Sequence, residues 1–249
     1  MKHERIDTLL VTRGLCDSRE QAKRLILAGE VRCGDHVIDK PGAKISPNAP
    51  LDVREKPRFV GRGGLKLEAA LAAFQINPCG WVCMDVGAST GGFTDCLLQQ
   101  GAERVHAIDV GTNQLVWKLR NDPRVIVKEQ FNARHMEPGD IGEKVRLAVM
   151  DLSFISLTKV LPAVFPLLDD GGSVVCLIKP QFELRRDDIS KGGIVRDTAL
   201  HEQAVEKIRR FVTEECQMEW RGLIPSPITG MDGNQEFLAW IGPYFEAPG

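Results

Sequence analysis

A chain of 249 residues with 43% hydrophobic and 27% charged residues allows one large domain or two unequal ones, and its composition excludes a disordered chain. Its 32 Lys/Arg against 34 Asp/Glu leave a net charge of −2, so no global basic field marks a nucleic-acid binder. The sequence has no run of about 18 apolar residues, no apolar segment behind Met1-Lys2-His3-Glu4-Arg5 and no C-x-x-C pair among seven scattered cysteines, which predicts a cytoplasmic protein with no membrane span, disulfide framework or metal site.

The charge is unevenly spread. Residues 1–60 hold 12 Lys/Arg and 9 Asp/Glu. A local basic surplus suits a small module that docks a phosphate backbone, although a difference of three charges is also what chance would give. Arg5-Ile6-Asp7 to Leu10-Val11 predicts one short amphipathic helix with Gly14 as its C′ residue. Ser18 follows as an N-cap with Gln21 at N3, a capping box that opens a second helix ended by Gly29. That helix puts Ala22, Leu25 and Ile26 on one face and leaves Arg19, Lys23 and Arg24 free. Short strands at 31–33 and 36–38 join at the tight turn Gly34-Asp35. Pro47, Pro50 and Pro57 bracket a strand at 51–53, and the basic, glycine-rich Phe59-Val60-Gly61-Arg62-Gly63-Gly64 reads as a linker. The domain boundary is expected within 55–62, giving modules 1–58 and 59–249.

The first module resembles the S4 RNA-binding domain over roughly residues 4–54, through Arg5-Ile6-Asp7, Gly14-Leu15, Ser18-Arg19, Ala22, Leu25-Ile26, Gly29, Val31 and Lys40-Pro41-Gly42. In that family the Ser-Arg helix and the strand after it contact folded RNA. The resemblance makes Arg5, Arg19, Lys23, Arg24 and Arg32, with Arg62 in the linker, RNA-contact candidates; a solvated basic face is the plainer reading of each.

Beyond the linker, helical spacing over 65–74 places Lys66 at a helix start. Short apolar runs at 81–86, 104–109, 125–128, 147–150 and 173–178 then alternate with amphipathic stretches at 92–100, 112–119 and 157–168. This order predicts an α/β fold with a mostly parallel sheet and helices on both faces, and segments 218–224 and 236–241 predict an antiparallel hairpin closing it. Ligands of such sheets bind at the carboxyl ends of the strands.

The first strand end is Asp85-Val86-Gly87-Ala88-Ser89-Thr90-Gly91-Gly92-Phe93-Thr94-Asp95. It lacks the second glycine of G-x-G-x-x-G, where a dinucleotide fold needs close backbone approach, and it lacks the G-K-[ST] of a P-loop. An acidic residue before the loop suits a cationic or amino-acid-bearing ligand. The loop resembles motif I of S-adenosylmethionine-dependent methyltransferases with a Rossmann-like sheet, in the D-x-G-x-x-x-G-G-F-T form of RNA ribose methyltransferases. That resemblance implies S-adenosyl-L-methionine as cofactor, held by Asp85, Gly87, Ala88, Ser89, Gly91, Gly92 and Phe93. Asp109 would lie beside the cofactor ribose and Asn132 beside the adenine. A tight strand-to-helix turn without ligand is the alternative for the glycines.

The remaining strand ends carry Asp151 and Lys179, while Lys66 opens the helix before the first strand and Glu236 opens the last. Two lysines and two carboxylates at a methyl-donor site have a chemical rationale. A ribose hydroxyl is a poor nucleophile and benefits from a positioned base, and burial can lower a lysine's pKa enough to serve while carboxylates oppose that change and fix its position. The constellation resembles the Lys-Asp-Lys-Glu tetrad of ribose 2′-O-methyltransferases. With Gly61-Arg62-Gly63-Gly64, Asp151-Leu152-Ser153-Phe154-Ile155-Ser156, Lys179-Pro180-Gln181-Phe182-Glu183 and Ser226-Pro227 to Glu236-Phe237, residues 4–241 resemble the TlyA (haemolysin A) family of S4-containing ribosomal RNA methyltransferases with an FtsJ-like domain. By that resemblance Lys179 handles the 2′-hydroxyl proton, Asp151 orients it beside the cofactor, and Lys66 and Glu236 hold the ribose and the second lysine. The implied partner is ribosomal RNA or a ribosomal subunit, methylated at a cytidine. Because the chain ends soon after the last strand, the large subunit is the expected target.

Other conspicuous residues have plainer explanations. Trp81, Trp220 and Trp240 read as core or rim; Cys83, Cys96 and Cys176 as small buried hydrophobes; His106 as structural. The stretch 183–196, with Arg185, Arg186, Lys191 and Gly192-Gly193, reads as an RNA-gripping lid or a solvated loop. An S4-type ribosome-assembly factor that binds the cofactor without needing catalysis remains an alternative, separated from the enzyme by a Lys179 substitution. A cytolysin is suggested only by the family's historical name, and the sequence offers it no span or long amphipathic hairpin.

Overall fold

A computed structural model describes residues 3–53, 57–189 and 192–244. The chain divides into two compact units, 1–58 and 59–249. In the first, β1 (Glu4–Arg5) leads into α1 (Ile6–Thr12), α2 (Arg19–Leu27), β2 (Val31–Cys33), β3 (His36–Val37), β4 (Lys44–Ile45) and β5 (Leu51–Val53). β2 pairs with β3 and β5, and β1 with β4. Ile6, Leu10, Ala22, Ile26 and Val31 form the core. Both helices end at a left-handed glycine, Gly14 (φ 68°) and Gly29 (φ 71°), where a Cβ would be strained. Ser18 caps α2 by accepting the Gln21 N–H at 3.2 Å. The reciprocal half of the box moves one residue upstream, Gln21 Oε1 accepting the Asp17 N–H at 2.9 Å.

The second unit contains α3 (Gly63–Ala73), β6 (Val82–Val86), α4 (Gly92–Gln99), β7 (Arg104–Ile108), α5 (Trp117–Arg120), β8 (Val125–Lys128), α6 (Pro138–Ile141) and β9 (Val145–Met150). It continues with α7 (Leu161–Val164), β10 (Leu168–Ile178), α8 (Pro180–Glu183), α9 (Thr198–Arg210), β11 (Glu219–Pro225) and β12 (Phe237–Gly242). The strands form one seven-stranded sheet in the order β11-β12-β10-β9-β6-β7-β8. β6 to β10 are mutually parallel where they pair, and β12 and β11 close the sheet antiparallel. Buried clusters cover both faces, one around Leu67, Leu97 and Leu147 and the other around Met84, Met150 and Leu161. Burial on two sides explains the unbroken apolar run Val174-Val175-Cys176-Leu177-Ile178, where each large side chain contributes about 1.5–3 kcal/mol of transfer free energy. Among the described residues no helix is long and apolar enough to cross a membrane.

Two helical expectations change, and one helix is additional. Of 112–119 only the end is helical, because the Glu129 carboxylate accepts the N–H groups of Asn113 (2.9 Å) and Gln114 (3.1 Å) and satisfies them outside a helix. Residues 157–168 break into a 3₁₀ turn, α7 and a second 3₁₀ turn, since Pro162 and Pro166 each remove a backbone donor. The sequence pattern does not predict α9. Asp197 caps it by accepting the Ala199 N–H at 2.9 Å, and its apolar stripe is narrow, Ala204 and Ile208 being its buried residues.

Candidate active site

Register builds the site. Val86, Met150 and Cys176 stand level across β6, β9 and β10, so the residues that follow them emerge on one rim. β12 runs the opposite way with Phe237 paired to Ile178, which puts Glu236 and Lys179 side by side as they leave the sheet. A cavity of about 630 Å³ opens on this rim, at the β6/β9 boundary where the strand order reverses. Lys66, Asp151, Lys179 and Glu236 line it, together with Asp85, Gly87, Ala88, Ser89, Gly92 and Phe93 of the glycine loop.

The four ionisable groups form two pairs. Lys66 rises from the apolar face of α3 and donates from Nζ to Glu236 Oε2 at 2.5 Å, with side-chain exposures of 9% and 3%. Lys179 Nζ lies 2.6 Å from Asp151 Oδ1 and donates to Ser153 Oγ at 3.0 Å. The Lys66–Glu236 pair is nearly withdrawn from water, so replacing either member leaves the other's polar group buried without its partner.

The loop between β6 and α4 is fixed from below. Asp85 is fully buried, and its Oδ2 accepts the Thr94 N–H at 2.9 Å and the Thr94 hydroxyl at 2.7 Å, fastening the first turn of α4 to the end of β6. Its other oxygen, Oδ1, is buried and has no hydrogen-bond partner among the described residues. Burial, reinforced by the negative charges of Asp151 and Asp109, pushes the Asp85 carboxyl up to about 7. Gly87 has φ 86°, and a Cβ there would sit 2.6 Å from the Asp151 carbonyl oxygen. Gly91 (φ 99°) turns the chain into α4, where a Cβ would strike Leu119 and Leu115. An unpaired buried carboxylate oxygen below the cavity, beside the N-terminal end of α4, fits a ligand that carries a cation and a carboxylate together, as S-adenosyl-L-methionine does.

Other sequence-predicted residues lie further out. Asp109, Gly91 and Asn132 are not among the residues lining the cavity. Asp109 braces its wall by accepting the Ser89 N–H at 2.8 Å and the Gly111 N–H at 2.7 Å. Asn132 caps a 3₁₀ turn, accepting the Arg134 N–H at 3.1 Å. Arg62 lies on the rim and donates to the Thr229 carbonyl at 3.1 Å. In the first unit Arg5 and Arg19 both pair with the buried Asp7, at 2.9 and 3.0 Å, and hold its carboxyl far below the usual range. Lys23, Arg24 and Arg32 are exposed.

The cavity also gathers side chains that a search of strand ends passes over: Ser153, Phe154, Gln181, Phe182, Thr229 and Met231. Phe154 is 90% exposed at φ 65°, and its ring stands 5.1 Å from that of Phe182. A signal for them exists, since four of them lie within three residues of Asp151 or Lys179. The plainer readings also find their places. Cys83 and Cys176 are buried, their thiols pushed up by burial. His106 is buried against Glu143 at 2.8 Å, and Trp240 stacks on Phe74 at 5.7 Å. In the stretch 183–196, Arg185 and Arg186 are exposed, Glu183 and Val195 are buried, and Lys191 lies outside the described residues.

Comparison with known proteins bears on both units. Residues 59–242 match the FtsJ-like methyltransferase family, and residues 4–51 match the S4 domain. YqxC of Bacillus subtilis is 48% identical over 239 residues, covering 95% of this chain and 85% of the relative. The 16S/23S rRNA (cytidine-2′-O)-methyltransferase TlyA of Mycobacterium tuberculosis is 44% identical over 244 residues, covering 96% and 90%. A solved structure from Streptococcus thermophilus superposes with a TM-score of 0.74 at 48% identity, covering 100% of this chain and 90% of that one.

Proposed function

The chain belongs to the FtsJ-like methyltransferase family, with an S4 domain ahead of the family's fold, and from that membership we propose that it methylates a cytidine 2′-oxygen of ribosomal RNA. The observation that carries the reading is the meeting of Lys66–Glu236 and Asp151–Lys179 in one cavity with the glycine loop. S-adenosyl-L-methionine, when bound, supplies an electrophilic methyl group on a sulfur that departs as a neutral thioether. Asp85 would hold its cationic part and the N-terminal end of α4 its carboxylate, while Asp109 holds the loop that shapes the pocket wall.

Lys179, acting as the neutral amine, takes the 2′-hydroxyl proton on its lone pair and becomes the ammonium as the oxygen closes on the methyl carbon. Asp151 in ion-pair contact and the Ser153 hydroxyl as hydrogen-bond acceptor hold the amine at the cavity, where it can meet the substrate. Lys66 and Glu236, nearly buried in the cavity wall, hold the ribose in line, so that much of the rate comes from orientation. No acid is required at the leaving group. The first unit grips RNA through Lys23, Arg24 and Arg32, and the reaction takes place in the cytoplasm on ribosomal RNA. Large-subunit RNA is the first substrate to test; the tuberculosis relative carries both subunit RNAs in its name, so each subunit is a separate arm.

The test is transfer of label from S-adenosyl-L-methionine to unmodified ribosomal RNA and to both subunits, wild type against Lys179→Ala. Label recovered as 2′-O-methylcytidine and lost at least about 100-fold in the variant, with RNA binding retained, is the expected result. Cofactor binding without transfer to any substrate would leave an assembly factor as the better reading.

A further inference from the structure

Asp151 and Lys179 sit on different loops, and the ion pair between them is not the only tie. Glu183, the last residue of α8, is buried and reaches across to the loop that follows Asp151. Its Oε1 accepts the Leu157 N–H at 2.8 Å and its Oε2 accepts the Ser156 hydroxyl. Lys207 of α9 completes the cluster, with Nζ 3.1 Å from Glu183 Oε2 and 2.6 Å from the Glu183 carbonyl oxygen. Lys179 stands four residues before Glu183 and Asp151 five residues before Ser156. Two loops are therefore joined at both ends, by Lys179–Asp151 on the cavity side and by Glu183–Ser156/Leu157 behind it. Between these ties hang Ser153, Phe154, Gln181 and Phe182, all of which line the cavity.

A buried carboxylate is a poor stabiliser, because a well-packed apolar residue of similar size is often as good or better. Its worth lies in direction: bonds to a backbone N–H, a hydroxyl and an ammonium fix three groups at once. We infer that Glu183 is a positioning residue for methyl transfer, a clamp that holds the Asp151 loop against the Lys179 turn so that Lys179 keeps its aim at the acceptor oxygen. The clamp rests on the methyltransferase reading above and touches neither substrate nor cofactor. It also gives α9 a function in the site, since the Lys207 ammonium bonds both the Glu183 side chain and its carbonyl oxygen and so holds Glu183 in place.

The test is single-turnover methyl transfer by Glu183→Ala, Glu183→Gln and Ser156→Ala, with dissociation constants for RNA and cofactor and hydrogen exchange of the peptide containing Leu157. A misplacement on the order of 1 Å at a reacting group costs roughly 100-fold, so Glu183→Ala is expected to lower the single-turnover rate about 10- to 100-fold with both dissociation constants within about twofold. Glu183→Gln, which keeps an acceptor for the Leu157 N–H and loses the charge facing Lys207, falls between. A folded Glu183→Ala variant with an unchanged rate, or with a loss confined to binding, overturns the clamp. Should Glu183→Ala fail to fold, Ser156→Ala decides in its place: a rate unchanged after losing that hydroxyl overturns the clamp equally. Absence of transfer by the wild type on every ribosomal substrate would instead sink the methyltransferase reading. In that case unchanged exchange at Leu157 in a folded Glu183→Ala variant would overturn the clamp by itself.

Discussion

Asp85→Asn separates what the buried carboxylate does for the fold from what it does for the ligand. The unfolded chain releases the Asp85 proton near its ordinary value of 3.8, whereas burial beside Asp151 and Asp109 keeps the folded carboxyl protonated to about 7. A group whose folded pKa is raised contributes stability that is complete below the unfolded value and is lost as pH rises through the folded one. Every tenfold difference in proton affinity between the two states is worth about 1.4 kcal/mol, so the window from about pH 4 to 7 costs the wild type on the order of 4 kcal/mol. The asparagine amide still offers Thr94 an acceptor and cannot ionise. The variant is therefore expected to gain on the wild type as pH rises, by about 3 kcal/mol between pH 5 and 7, which a domain of this size shows as roughly 5–10 °C in Tm. Differential scanning fluorimetry of ligand-free protein at pH 5, 6, 7 and 8 reads the difference directly, and taking it against the wild type cancels the other carboxylates. Titration calorimetry at pH 6 in buffers of unlike ionisation enthalpy should then show the wild type releasing about one proton on binding S-adenosyl-L-methionine, and Asp85→Asn binding more weakly with no release. Parallel Tm curves from pH 5 to 8 would refute the reasoning, because the unpaired Oδ1 would then carry no cost.

Further outcomes follow from packing and charge. A Cβ on Gly92 would lie 3.0 Å from the Gly64 nitrogen and 3.2 Å from the Gly61 oxygen, backbone atoms that cannot swing aside, so Gly92→Ala should destabilise by about 1–3 kcal/mol in urea unfolding. Gly139→Ala, with nothing within 4 Å, is its control and should be neutral or slightly stabilising. For the first unit, Lys23→Ala and Arg24→Ala should each weaken ribosomal RNA binding across sequences and lower the slope of log affinity against log salt by about 1. An unchanged slope for both would make that face merely solvated.

The sequence makes strand ends legible and registers illegible. Asp85, Asp151 and Lys179 are readable because each terminates an apolar run that a parallel sheet buries on both faces, and one geometric rule then places all three on one rim. Glu236 needs the antiparallel pairing of Phe237 with Ile178, which a hairpin pattern suggests but cannot align. α9 escapes notice because Ala204 and Ile208 are its buried residues amid charge, and with it goes Lys207, the partner that makes sense of Glu183. The capping chemistry of Glu129, which unwinds 112–116, is likewise a contact between residues 15–16 apart that no local propensity encodes.

The structure adds a distinction between the two lysines that composition treats alike. Lys66 and Glu236 retain 9% and 3% of their side-chain exposure, whereas Lys179 and Asp151 retain 11% and 22%. The first pair ties α3 to the start of β12 and lines the cavity with both members nearly buried. The second pair lies open on the Asp151 side, is shared with the Ser153 hydroxyl, and is braced from behind by Glu183. The proposed proton acceptor is thus the lysine whose carboxylate partner is open to solvent and which also bonds the Ser153 hydroxyl. The nearly buried pair is suited to keeping its shape while the proton moves. Under the proposed function, the division of labour between Lys179 and Lys66 rests on their partners and bracing, which residue type and spacing do not supply.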